Sequence, residues 1–219
     1  MPMPKYKTKS LLGQNLTLFP DRTLFWQEEK LLVVADPHFG KAQIFREYGI
    51  PIPEGTTTDD LKRLSYRMDQ LQPRKLLFLG DLVHGRIENQ NILGQLVDKW
   101  RRRHKTVELL LAPGNHDLRY GDPPAQFRFD HVATEIILDS FIFTHKPRSY
   151  SSFYGIAGHL HPAVTITANA GLKERLPCFC FGPRGALLPA FGSFTGTQVI
   201  RPTPEDRTYV VAGDEVFEM

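Results

Sequence analysis

"LLVVADPHFGK", residues 31–41, decides how the rest of the chain is read. Its first five residues are all apolar, with no alternation, which is the pattern of a strand buried on both faces rather than one with a wet side. The run breaks off at Asp36, Pro37 and His38, so a carboxylate and an imidazole stand two positions apart just past a strand end. An Asp-x-His pair is common by chance and gains meaning only if other strands end in the same way.

They do. "KLLFLG" (75–80) is followed by Asp81, with His84 close behind, and "VELLLAPG" (107–114) by Asn115, His116 and Asp117. "FIFT" (141–144) is followed by His145, and "YGIAG" (154–158) by His159 and His161. Gly80, Gly114 and Gly158 sit at these junctions, where a missing Cβ lets backbone turn sharply and approach a ligand. Six of the eight histidines fall in these segments; only His104 and His131 lie elsewhere. Ligands of open α/β sheets bind beyond the carboxyl ends of the strands, so these side chains are expected to converge.

Between the first three runs lie two helical patterns. In "TTTDDLKRLSYRMDQL" (56–71), Leu61, Leu64, Met68 and Leu71 share a stripe and Asp59 and Asp60 occupy the first turn. In "NQNILGQLVDKWRRRH" (89–104), Ile92, Leu96, Val97 and Trp100 form the stripe. Strand, helix, strand, helix, strand implies βαβ units with parallel pairing. The second half reads as β-rich and closes on "TYVVAGDEVFEM", whose Gly-Asp predicts a tight hairpin. "LTLFPDRTLFWQ" predicts a further strand or hairpin ahead of Leu31. The fold class is therefore α/β, two packed β-sheets with helices outside, and the absence of repeats or linkers makes 1–219 a single domain.

Composition excludes several classes. The 219 residues are 41% hydrophobic and 23% charged with a net charge of +3, an ordinary globular balance that permits a polyanionic partner without demanding one. No apolar run reaches the length of a membrane helix, and no signal-peptide core follows the basic N-terminus, so the default expectation is cytoplasmic. Cys178 and Cys180, at i and i+2 in a strand, are unsuited to a disulfide with each other and read as small buried hydrophobes. The basic run "KWRRRHK" (99–105) reads as a solvated helix end at least as well as a nucleic-acid contact.

The donor types narrow the chemistry. Imidazole, carboxylate and amide without thiolate suit Mn²⁺, Fe²⁺, Co²⁺ or Zn²⁺. There are too many donors for one ion, but two ions about 3.5 to 4 Å apart, sharing a carboxylate, would use them. Such a pair activates a bridging hydroxide and clamps the attacking and leaving oxygens of an in-line displacement, which is phosphoester hydrolysis.

"DPH", "GD", "GNHD", the lone histidine of "THKP" and "GHLH", in this order over residues 36–161, resemble the calcineurin-like metallophosphoesterases. The resemblance implies a four-layer α/β/β/α sandwich with Asp36, His38, Asp81 and His161 on one ion. Asp81, Asn115, His145 and His159 would hold the other, and His116 would protonate the leaving alkoxide. Many members carry a second aspartate where "GDLVHGR" has His84. In the protein phosphatases that carboxylate orients the catalytic histidine, so here Asp117 or a backbone carbonyl would have to orient His116, and His84 could itself touch substrate. The same change is found in the nuclease subunit of the double-strand-break repair complex, which favours a phosphodiester substrate.

A narrower resemblance rests on "DPHFGKAQIFREYGIPIPEGTT", "GHLHPAV" and "LPAFGSFTG" (188–196), which look like the bacterial ligase-associated DNA-damage-response endonucleases, the PdeM family. It implies a manganese-dependent phosphodiesterase acting on DNA, with a DNA ligase and a helicase as partners. The alternative is a small-molecule phosphoesterase for a cyclic nucleotide, a nucleotide sugar or a phosphomonoester. Lys41, Arg46, Arg86, Lys146 and Arg148 lie near these donors and are candidates for contacting phosphate oxygens, Lys41, Arg86 and Arg148 foremost, with plain surface ion pairs as the competing reading. Phe39 and Tyr150 are candidates for stacking on a base, with buried packing as the plainer reading. "LPAFGSFTG" itself reads as sheet packing around a glycine turn.

Overall fold

The computed structural model describes residues 5–51, 55–84, 90–120, 123, 125–167 and 173–219, with backbone alone at 90, 91 and 120. Two mixed β-sheets pack face to face and are flanked by helices. The first sheet runs in order β1 (Lys7–Leu11), β2 (Gln14–Leu18), β3 (Leu24–Trp26), β4 (Leu31–Ala35), β5 (Lys75–Leu79), β6 (Glu108–Ala112) and β7 (His131–Val132). Its first four strands are antiparallel neighbours, whereas β4 to β7 pair in parallel. The N-terminal hairpin expected ahead of Leu31 is thus a three-stranded extension of this sheet.

The second sheet contains β8 (Glu135–Leu138), β9 (Phe141–Thr144), β10 (Tyr154–Ala157), β11 (Pro162–Thr167), β12 (Lys173–Phe181), β13 (Gly185–Leu187) and β14 (Gln198–Val199), in the order β14-β11-β12-β13-β10-β9-β8. β15 (Arg207–Ala212) adds to β12 and pairs with β16 (Glu215–Glu218) in the predicted hairpin, turned at Gly213 with φ 54°.

The five-residue apolar run of β4 is explained by two cores. Leu31, Val33 and Ala35 face the inter-sheet core with Leu77, Leu79, Trp26, Phe141, Phe143 and Ile156. Leu32 and Val34 face a second core, with Leu76 and Phe78, under the helices. Both faces of the strand are dry, so no polar residue is tolerated until the strand ends.

The helices are α1 (Lys41–Glu47), α2 (Thr56–Leu71), α3 (Gln90–Arg103) and the short α4 (Asn115–Tyr120). α2 matches its predicted bounds and buries Leu61, Leu64 and Met68. In α3 the buried stripe is Leu93, Val97 and Trp100; Ile92 is 56% exposed, so that part of the expected stripe is displaced by one residue. The basic helix end is structural. Arg101 is buried and donates to the carbonyls of His104 and Val107, while Arg102 and Arg103 pair with Asp98 and Asp69. Cys178 and Cys180 are free thiols, both buried, Cys178 beside Val164 and Val210. No helix among the described residues is long and apolar enough to cross a membrane.

Register positions the site. In the parallel pairs Ala35 lies opposite Leu79, and Leu79 opposite Ala112, so β4, β5 and β6 end at one level. In the second sheet Thr144 lies opposite Ala157 at the ends of β9 and β10. A bridge from Ala35 to Ala190 and an N–H from Phe191 to the Ala35 carbonyl (2.7 Å) bring the two sheets together beside Asp36.

Candidate dinuclear metal centre

Past the ends of β4, β5 and β10 the chain turns through left-handed backbone. Asp36 (φ 48°), His38 (47°), Asp81 (44°), His159 (69°) and His161 (48°) all have positive φ, a conformation that costs non-glycine residues about 1–3 kcal/mol. Asp and His are among the few side chains enriched there. The turn swings each side chain back over the strand ends. Close approach is made possible by absent Cβ atoms: one on Gly114 would collide with Asp81 Oδ1, and one on Gly158 would lie 2.5 Å from Asp36 Oδ2.

Two donor groups result. Asp36, His38 and His161 present ligand atoms all within 4.8 Å of one another, and so do Asp81, His145 and His159. In the first group the Nε2 atoms of His38 and His161 are 3.4 Å apart, and His161 Nε2 is 3.6 Å from Asp36 Oδ1. In the second, His145 Nε2 lies 2.9 Å from His159 Nδ1, 3.1 Å from Asn115 Oδ1 and 3.5 Å from Asp81 Oδ1. Asp81 stands between the groups, its Oδ2 3.8 Å from His38 Nε2 and 3.9 Å from His116 Nε2.

The outer contacts fix the rings. His145 Nδ1 is 3.1 Å from the Leu79 carbonyl and His161 Nδ1 is 3.0 Å from the Gly196 carbonyl. A carbonyl only accepts, so both rings carry the proton on Nδ1 and turn an Nε2 lone pair inward, the arrangement a metal-binding imidazole needs. Asp36 Oδ1 is buried with no hydrogen-bond partner among the described residues. Lone pairs and carboxylate oxygens that converge in a dry site repel one another unless a cation lies among them. The residues therefore fit divalent ions.

Protonation points the same way. Burial, with His161 and Lys41 nearby, pushes His38 down to about 2, and burial with His145 nearby lowers His159. Neutral imidazoles are the form that binds metal. Burial opposes charge on His161 too, but the adjoining Asp36 carboxylate holds its pKa above the usual value. A cation would take the place of that proton.

Around the two groups the remaining candidates separate. The half-exposed His116 donates its backbone N–H to Asp81 Oδ1 (3.0 Å), and its ring lies 4.8 Å from that of His84 at 32°. Burial and Lys41 push His84 down to about 4, so it is a neutral ring against His116. Asp117 does something other than orient the His116 ring. Its oxygens accept the N–H groups of Leu82 (3.0 Å), Gly114 (2.8 Å) and Val83 (3.4 Å), tying the Asp81 turn to the Asn115 turn. Burial raises its pKa against those bonds.

Of the substrate candidates, Lys41 is half-buried at the edge of the first group, where Asp81 stabilises its charge against burial. Arg148 is exposed and pairs with Glu135 (3.4 Å), on the wall of a cleft of about 260 Å³ that also includes Asn115, His145 and Lys146. Arg86 lies outside the described residues. Phe39 is 1% exposed in the helix-side core and offers no ring to a base, whereas Tyr150 is partly exposed with its hydroxyl donating to Glu135 (3.0 Å).

The "LPAFGSFTG" segment packs as expected, but it also orients the site. Buried Asp60 accepts the Ser193 N–H (3.1 Å) and hydroxyl and pairs with Arg63, which in turn donates to the Phe191 carbonyl. The segment so held delivers the Gly196 carbonyl to His161. Sequence reasoning had no signal for this, because the orienting atom is main-chain.

Two donor groups at the strand ends of a double-sheet sandwich define a metal-dependent phosphoesterase. The chain belongs to the calcineurin-like phosphoesterase family, whose sequence profile matches residues 29–180. Among solved structures it is similar to the nuclease MPE of Pseudomonas putida, 33% identical over 98% of this chain and 100% of that one, with a TM-score of 0.83. That match is consistent with the narrower resemblance. More distant are a protein of unknown function, AQ665, from Aquifex aeolicus (18% identity, 60% and 78% coverage, TM-score 0.40) and Yfce, a phosphoesterase from E. coli (14%, 83% and 87%, 0.42). No curated protein sequence matches significantly.

Proposed function

We propose that the chain is a two-metal phosphodiesterase that cleaves DNA, with manganese as its working ion. The observation that carries this reading is the pair of donor groups joined at Asp81. The whole-length similarity to a nuclease supports a nucleic-acid substrate. Asp36, His38 and His161 would hold one ion and His145, His159 and Asn115 the other, with Asp81 shared. When bound, the ions lower the pKa of water and neutralise charge on the phosphoryl oxygens.

The chain's own residues do the rest. His116, at the open side of Asp81, holds a proton on Nε2 and delivers it to the leaving alkoxide. His84 supports that ring by packing against it at a tilt, where relatives use a carboxylate, and Asp117 fixes the two turns that carry Asp81 and His116. Lys41 meets a phosphate oxygen. Service beside a DNA ligase and a helicase in cytoplasmic repair follows from the PdeM resemblance.

With Mn²⁺ the purified protein should hydrolyse bis-p-nitrophenyl phosphate faster than p-nitrophenyl phosphate, and EDTA should abolish both. His116→Ala should slow the bis-ester by roughly 10²- to 10⁴-fold, the range of a lost general acid. Strong preference for the monoester would replace the reading with that of a small-molecule phosphomonoesterase.

A further inference from the structure

The mouth of the first donor group carries two aromatic residues that the mechanism above does not use. Phe45 on α1 and Phe194 in the 188–196 segment meet edge to face, with centroids 5.4 Å apart at 81°. Both are only half-buried. They continue a row of rings leading out from the centre: His116 against His84 at 4.8 Å, His84 against Phe45 at 6.2 Å, then Phe194. The Lys41 ammonium lies 5.9 Å from the Phe45 centroid and 6.0 Å from that of Phe194. Lys41 forms no salt bridge among the described residues; the Asp81 carboxylate acts on it only at longer range, against the cost of burial.

Core packing does not account for this arrangement. Phe39, Phe78 and Phe127 fill the core beneath and are nearly inaccessible, whereas Phe45 and Phe194 keep ring surface in water, where apolar area is costly. Aromatic rings beside a cation, one ring (His84) away from His38 of the first donor group, have the composition of a single-strand stacking platform: a π-face for a base and a charge for the backbone.

We propose that Phe45 and Phe194, with Lys41 over both rings, form a stacking site for a nucleobase flanking the scissile phosphate on the Asp36/His38/His161 side. This rests on the nucleic-acid reading above. Stacking requires a base free of its neighbours. Phe194 lies on the segment that orients His161 through Gly196, so a base seated there also contacts the loop that holds a ligand of the first group.

The test compares two fluorescein-labelled single strands of equal length and charge, an oligothymidylate and its fully abasic tetrahydrofuran counterpart, by anisotropy in EDTA so that no turnover occurs. The full chain should bind the thymidylate roughly tenfold more tightly. Phe45→Leu/Phe194→Leu, which keeps apolar bulk and removes the π-faces, should bring the ratio close to one. Phe45→Trp should preserve the preference, and its thermal unfolding reports folding independently. Equal binding of both strands by the unaltered chain, or a preference that survives the double leucine variant, would overturn the proposal. Failure to hydrolyse bis-p-nitrophenyl phosphate would sink the phosphodiesterase reading instead, and the binding ratio would still decide the stacking site.

Discussion

Asp117 offers a sharp test of how the centre is held together, because its place beside His116 in the sequence suggests one role and its contacts another. The residue is 3% exposed, and its carboxylate takes the N–H groups of Leu82 and Gly114 at 3.0 and 2.8 Å, with Val83 more loosely at 3.4 Å. Asp117→Ala leaves at least the two closer donors without an acceptor. An orphaned buried donor costs about 1–3 kcal/mol, so the pair costs about 2–6 kcal/mol. That is a large share of the roughly 5–15 kcal/mol by which a domain is stable. At about 2–4 °C per kcal/mol for a chain of this size, the melting temperature should fall by roughly 5–20 °C. Asp117→Asn keeps one accepting oxygen and should lose about half as much. Thermal unfolding followed by circular dichroism in EDTA measures this without the contribution of bound metal. An alanine variant that melts within about 1 °C of the unaltered protein, yet has lost activity and shifted its pH–rate profile, would refute the reasoning. Asp117 would then be acting on the His116 ring.

Three further outcomes are expected. Asp81→Asn should weaken Mn²⁺ binding at both donor groups in isothermal calorimetry and cost about 10³-fold in diester turnover, since its carboxylate reaches into each; weakening confined to one group would show that Asp81 is not shared. The metal-free protein should lose stability as the pH falls below about 6.5, the ordinary histidine value. His38 and His84 are held down to about 2 and about 4, so between those values and the ordinary one the unfolded chain binds protons that the native chain refuses. His161, raised beside Asp36, works in the opposite sense, adding stability that disappears as the pH rises through its folded value; denaturant midpoints measured across this range, and found flat, would contradict the buried neutral state of His38 and His84. Native protein should leave Cys178 and Cys180 unalkylated by iodoacetamide at neutral pH, because both are buried and Cys178 is pushed up to about 12; mass spectrometry would register both as modified only after unfolding.

How much could be read in advance follows from where the physics resides. β4, β5 and β6 were legible because strands dry on both faces admit no polar residue, so their ends stand out at Asp36, Asp81 and Asn115. Asp36, His38, Asp81, His159 and His161 were legible by type, since Asp and His are what a strand end can hold in left-handed backbone while presenting a metal ligand. α1 was not legible: it is seven residues long and buries only Ala42, too little for a periodic signal. In α3, Ile92 and Leu93 fit an apolar stripe about equally well, and only the helix-side core shared with Phe127 and Trp100 selects Leu93.

Roles carried by main-chain atoms were hidden altogether. A reading by residue type gives Asp117 to its neighbour His116, but the structure gives it to three backbone N–H groups. It gives "LPAFGSFTG" to packing, but the same packing sets a ligand's tautomer. The Phe191 N–H bonded to the Ala35 carbonyl, and Asp60 bonded to Ser193, are core contacts by any count. Because they fix where the Gly196 carbonyl falls, they also decide which nitrogen of His161 faces Asp36. Stability and metal affinity in this segment are therefore one property, and a substitution that loosens the loop should weaken the first donor group before it unfolds the sheet.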